Sequence, residues 1–162
     1  MQLLLGVSSN TAVKAPMTMS ENMPLELIAF WNGLPIFMVQ SLVVLLLLFA
    51  ATFFYMKITR HDEMALIRAG NTAAAISLAG AILGMAIPAA FALASSVTLL
   101  DVAIWTIVAL VLQIIAFRIA DMALKDLPGR IEEGQMGAAV LLVSIKLAAA
   151  VVNAAAIGGG AL

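Results

Sequence analysis

Apolar residues fill four long blocks of this chain, and the short segments between them gather most of its charge. Crossing a hydrocarbon layer of about 30 Å takes roughly 20 apolar residues in a helix, so each block reads as a membrane span. The first lies between Glu26 and Lys57 and is placed at 35–56, centred on SLVVLLLLFAATFF. The second, rich in Ala and Gly, is placed at 72–93, between Arg68 and Asp101. The third is uncharged only over 102–117, which covers about 24 Å at helical rise. That length sets Asp101 and Arg118 at opposite interfaces, with Asp101 as the expected helix N-cap. The fourth, 137–157, carries one charge, Lys146.

Composition agrees with this pattern: 64% of residues are hydrophobic and 10% charged, against roughly a quarter charged in soluble domains. Lys57, Arg60 and Arg68 flank one connection and Arg118, Lys125 and Arg130 the other, with only Lys14 on the opposite side. The positive-inside rule then makes both connections cytoplasmic and both termini periplasmic. Trp31 and Trp105 at the outer ends and Tyr55 at the inner end fit an aromatic belt. The first residues lack the basic start and long apolar core of a signal peptide and read as an outward-facing tail, 1–34. With no cysteine, disulfides, thiolate chemistry and sulfur-ligated metals are excluded, and no basic patch argues for nucleic acid.

Laid over itself at an offset of 64, the chain matches IRAGNTAAAISLAGAILGMAIPAA to IEEGQMGAAVLLVSIKLAAAVVNA without a gap. Ile67/Ile131, Gly70/Gly134, Leu78/Leu142, Leu83/Leu147 and Ala90/Ala154 are among the identities, and Asn71 falls on the amide Gln135. The expected fold is therefore an all-α membrane protein of four transmembrane helices in two parallel helical-hairpin repeats, 35–96 and 97–162. Gly70 and Gly134 are expected just past short surface helices, with Asn71 capping the returning span.

The stretches DEMALIRAGNTAAAISLAGAILGMAIP, SVTLLDVAIW, RIEEGQMGAA and the closing NAA resemble the YjfL-type family of small bacterial inner-membrane proteins, domain of unknown function 350. The resemblance spans about 35–157. It implies four spans in two related halves, a bacterial cytoplasmic membrane and, from genes often found beside its members, an envelope-stress context. It brings no catalytic residue to this chain.

Lys146 is the sharpest chemical feature. A central lysine costs about 2.5 to 3.5 kcal/mol on insertion, against about 0.3 to 0.6 gained for each Leu, Ile or Val, so the fourth span is marginal alone. Its ammonium is expected at a bundle interior, a subunit interface or a wet cavity, on one face with Asn153. Gln113 is the expected polar partner, and no carboxylate is expected at that depth. Gly80, Gly84 and Pro88 form a small-residue packing face. His61, Asp62 and Glu63, with Glu132 and Glu133, form an acidic cytoplasmic surface that suits a docking partner better than a metal, because adjacent helical residues diverge.

The expectation is a non-enzymatic inner-membrane protein without metal or cofactor: a homo-oligomeric scaffold or envelope-stress component in the lipid bilayer, docking a cytoplasmic protein. The alternative is a small channel or transporter whose pathway Lys146 lines.

Overall fold

A computed structural model describes residues 24–59 and 62–159. Among these the chain is entirely helical: α1 (Leu25–Ile58), α2 (Glu63–Arg68), α3 (Thr72–Ser95), α4 (Leu99–Ala123), α5 (Asp126–Glu132) and α6 (Met136–Gly159). Helices α1, α3, α4 and α6 are long and apolar enough to cross a membrane, and α2 and α5 are the short connections. The chain divides into two units, 1–35 and 36–162. In the first, the Phe30 and Trp31 rings meet edge to face at 5.7 Å.

In the second unit α3 is the central helix, packed on α6 and α4. Half of its most apolar stretch is buried, against 11% for α1. The reason is the size of its side chains. Ala73, Ala74, Ala81 and Ala89 are completely buried, and small residues let neighbouring backbones approach when lipid offers no hydrophobic drive. Helix α1 buries Val44, Ala51 and Tyr55, a single stripe at spacings of seven and four, and leaves Phe49, Phe53 and Phe54 exposed.

Both short helices end in the same way. Gly70 and Gly134 have φ of +88° and +82°, the left-handed region that glycine enters without strain. After α2, Gly70 N–H donates to Ile67 O and Asn71 N–H to Leu66 O; after α5, Gly134 N–H donates to Ile131 O and Gln135 N–H to Arg130 O. Each is a Schellman closure, which satisfies the last carbonyls of the helix and turns the chain back. Asn71 also caps α3, accepting from Ala74 N–H at 3.0 Å, while its Nδ2 donates to Ile131 O and Glu132 O at 2.9 Å. One side chain thus starts α3 and closes α5.

Three boundaries differ from expectation. Helix α1 begins at Leu25, so Pro35 lies inside a helix instead of opening it; a proline forfeits one intrahelical bond, and the apolar run on both sides carries the helix through. The rest of the expected tail, 1–23, lies outside the described residues. Asp101 is not the N-cap of α4. Thr98 has the extended backbone of a cap, accepts from Asp101 N–H at 3.2 Å and donates to Asp101 Oδ2 at 2.8 Å, a reciprocal arrangement across three residues. Finally, α4 continues past Arg118 to Ala123, because nothing in FRIADMA breaks a helix.

Candidate functional site: a buried lysine between two carboxylates

The extension of α4 decides the surroundings of Lys146. Its buried residues Thr106, Leu110, Gln113 and Phe117 recur at three- and four-residue spacing, and Asp121 is the next member of that stripe. Lys146 is 1% exposed. Side chains on α6 lean toward its N-terminus, the end nearest the connections, so the lysine stem points toward α2 and the end of α4. There Nζ donates to the Tyr55 hydroxyl at 2.7 Å and lies 3.6 Å from Asp121 Oδ1. The expectation that no carboxylate reaches this depth is corrected: it treated Arg118 as the end of a span that runs a further turn.

Aromatic faces complete the pocket. Nζ lies 5.0 Å from the Tyr55 ring centroid and 5.2 Å from that of Phe117, and the two rings meet at 81°. Ring quadrupoles attract a cation at this range, so the ammonium is held partly by π-density where water is excluded. Tyr55 is 1% exposed, which removes it from the aromatic belt expected of it.

Glu63 enters from α2. Asp62 caps this helix, its Oδ1 accepting from Ala65 N–H at 3.0 Å, and faces solvent. The next residue points about 100° away, into the bundle, where Glu63 is 5% exposed and its Oε2 has no hydrogen-bond partner. Burial, helped by the Asp121 carboxylate, pushes the Glu63 pKa from its ordinary 4.5 to about 7, against the opposing pull of Lys146 and the Tyr55 hydroxyl. A void of about 10 Å³, enough for roughly one water, touches Tyr55, Glu63, Ser77, Asp121 and Lys146. Thr59, Asp121 and Pro128 border both this void and a larger cavity of about 440 Å³.

Gln113 and Asn153 belong to the same seam but act on the backbone. Gln113 Nε2 donates to Lys146 O at 3.2 Å; Asn153 Nδ2 donates to Ala109 O at 2.9 Å and to Gln113 Oε1 at 3.2 Å. Together they tie α4 to α6 and leave the ammonium to Tyr55 and Asp121. On α3, a Cβ added at Gly80 would come within 2.9 Å of Val143 Cβ, and one at Gly84 within 2.8 Å of Phe117 Cζ. Pro88 is buried on the same helix.

The acidic residues expected on one surface are dispersed. His61 lies outside the described residues, Asp62 and Glu132 are exposed, and Glu133 accepts from Gln135 Nε2 at 3.0 Å. Glu63 is withdrawn into the interior, so its carboxylate is not offered to a partner in solution. Asp62 and Glu63 border a cavity with Lys57, whereas Glu132 borders the one that contains Arg118 and Lys125. No group of His, Asp and Glu among the described residues is arranged to hold a metal ion.

The Domain of Unknown Function (DUF350) family model matches residues 29–157, which include every residue of this site. The chain belongs to the DUF350 family. Relatives of this DUF350 protein include the UPF0719 inner membrane protein YjfL of Escherichia coli strain K12 and its counterpart in strain O157:H7. Each is 34% identical over 103 residues, covering 64% of this chain and 78% of the relative. No solved structure matches it at a significant level. The YjfL-type resemblance therefore holds, and with it a multi-pass protein of the inner membrane.

Proposed function

We propose that this DUF350 protein is a small proton-linked channel or transporter whose polar centre is the Lys146 cluster, reached from the cytoplasmic face. One observation carries the reading. A fully buried ammonium faces Tyr55 and Asp121, with a second carboxylate, Glu63, holding an unpartnered oxygen beside a water-sized void. One cation between two carboxylates leaves a negative charge in a low-dielectric interior, and taking up a proton removes it. Intramembrane ionisable groups are expensive and are kept where ions or protons pass.

In this reading α2 and α5 lie on the cytoplasmic side, where Lys57, Arg68, Lys125 and Arg130 gather, and both termini are periplasmic. The equivalent glycine closures at Gly70 and Gly134 support two parallel hairpin repeats. This reading is non-enzymatic: among the described residues acid, base and nucleophile do not converge on a substrate position. Exposed apolar side chains such as Phe49, Leu112 and Val152 leave room for a homo-oligomer.

Proteoliposomes loaded with a pH-sensitive dye test this function. Wild-type protein should dissipate an imposed pH gradient, and Glu63→Gln should lose most of that flux while staying folded. Equal flux in protein-free vesicles and wild type would sink the reading. A scaffold that docks a cytoplasmic protein is the second reading, favoured by the exposed Asp62, Glu132 and Glu133. Neutralising those three should abolish co-purification of the partner; unchanged co-purification would remove it.

A further inference from the structure

The walls of the 440 Å³ cavity carry positive charge that no carboxylate of the cavity answers. They are formed by Arg118, Asp121 and Met122 of α4, by Lys125, and by Gly129 and Glu132 of α5. Both carboxylates are engaged: Asp121 Oδ1 lies 3.6 Å from the buried Lys146 Nζ, and Glu132 is not free. The cations are not. Among the described residues neither Arg118 nor Lys125 forms an ion pair, and Arg118 spends one long bond, 3.4 Å, on Ile58 O. Four of the five guanidinium N–H groups and all three of the ammonium remain, a set of donors that suits phosphate oxygens. A cleft left with charge of one sign attracts the opposite sign, so the occupant that fits is an anion. A zwitterion would bring an ammonium that finds no carboxylate at liberty. The volume falls within the range of small-molecule sites, roughly 300 to 1,000 Å³.

The position of the cavity makes that anion a lipid. Arg118 and Lys125 lie where the apolar run of a membrane-crossing helix gives way to charge, the level of the headgroups. Met122 both lines the cavity and continues an apolar stripe on α4, with Ile119 and Ile115 at three- and four-residue spacing behind it. These side chains are 50–57% exposed, so the stripe runs uncovered from the cavity into the hydrocarbon-facing wall. We propose that this cavity binds the phosphate of an anionic phospholipid between Arg118 and Lys125, with an acyl chain along Met122, Ile119 and Ile115. Lys146 enters only as the partner of Asp121, so the assignment stands whether or not it carries protons.

Native mass spectrometry of the full chain in micelles, with phosphatidylglycerol and phosphatidylethanolamine offered together, tests it. Wild type should retain phosphatidylglycerol over phosphatidylethanolamine by roughly tenfold, the scale of one charge-assisted contact. Arg118→Gln with Lys125→Gln should lower phosphatidylglycerol to the level of phosphatidylethanolamine and leave the latter unchanged, a selective loss that misfolding does not produce. Arg68→Gln, at an exposed position on α2 outside the cavity, should change nothing. A second pair leaves both cations in place. Gly129 lines the cavity and a Cβ there meets nothing within 4 Å, so Gly129→Glu should remove the preference by adding a carboxylate, while Gly129→Gln should keep it. Equal retention of the two lipids by wild type, or a preference that survives the double Gln variant, overturns the proposal. Should that variant lose both lipids, the Gly129 pair decides: the same preference in Gly129→Glu and Gly129→Gln overturns it. Competition by soluble glycerol phosphate as effective as by the diacyl lipid also overturns it, because the occupant is then a free phosphate ester.

Discussion

Helices α3 and α6 are aligned by sequence at an offset of 64, yet they carry their burial differently. Along α3, Ala, Gly and Ser are buried on more than one side, and Ile82 is turned outward at 37% exposure. Along α6 the buried positions after Ala138 are Ala139, Leu142, Lys146, Ala150, Ala154 and Ile157, one stripe at three- and four-residue spacing, and Lys146, aligned with Ile82, lies near its centre. A central helix touched on several sides needs small residues almost all round, and has no room for a long charged stem. A helix that packs along one ridge meets its neighbours at one line, and a lysine on that line can extend to the polar ends of other helices.

The same asymmetry runs through the whole site. Tyr55 aligns with Ile119, Glu63 with Leu127, Asp121 with Lys57 and Lys146 with Ile82. A short helix with a glycine closure recurs at both connections, at Gly70 and Gly134. The polar cluster does not recur at the aligned positions, which hold Ile119, Leu127, Lys57 and Ile82.

The largest effect should come from removing the lysine. Lys146→Met leaves two buried carboxylates without a cation and is expected to destabilise the protein by about 3 to 5 kcal/mol in micelle unfolding. Combining it with Asp121→Asn and Glu63→Gln should recover more than half of that loss. This revises the view from insertion cost alone, in which an apolar residue at 146 only helps; unchanged stability of Lys146→Met would restore that view.

Next in size is the packing contrast. Gly80→Val on α3 should cost about 1 to 3 kcal/mol, because the added carbons collide with Val143. The aligned change on α6, Ser144→Val at an exposed position, should stay within about 0.5 kcal/mol. Similar losses at both would mean that α3 is no more central than α6. Smaller again, Asn71→Ala should cost about 1 to 2 kcal/mol through the lost cap and the carbonyls of α5. Gln135→Ala should cost less than half as much, since its side chain bonds only Arg130 and Glu133 nearby. Thermal unfolding of the two variants side by side reads the difference.

The finest contrast is between Glu63 and Leu127. The Glu63 pKa is raised on folding, so the folded state holds the proton more tightly and its stabilisation is complete below the unfolded value near 4.5. That contribution is lost as the pH rises through about 7. Thermal midpoints should therefore be higher at pH 5.5 than at pH 8, and Glu63→Leu, which copies Leu127, should flatten that slope. A slope that survives the substitution assigns the pH dependence to another group.

Much of the frame was legible in the chain, because each feature has a local cause. Charge-free length gave the four spans, and positive-φ glycine gave the closures at 70 and 134. The cluster was only half legible. Lys146 announces itself by its cost, but Asp121 lies past Arg118, where charge-free length ends the third span, although Gln113, Phe117 and Asp121 continue one helical stripe that a longer α4 makes obvious. Sequence adjacency groups Glu63 with Asp62 and His61 as surface charge, and only the turn between adjacent helical residues separates inside from outside.

The sequence by itself determined that this is a four-span membrane protein with a lysine that no single helix holds comfortably, because span length and desolvation cost are properties of segments. Which groups answer that lysine was decided by tertiary structure. Tyr55, Glu63, Asp121 and Lys146 lie on four different helices, and a partner for a buried charge is a matter of where helices end and which face each turns inward.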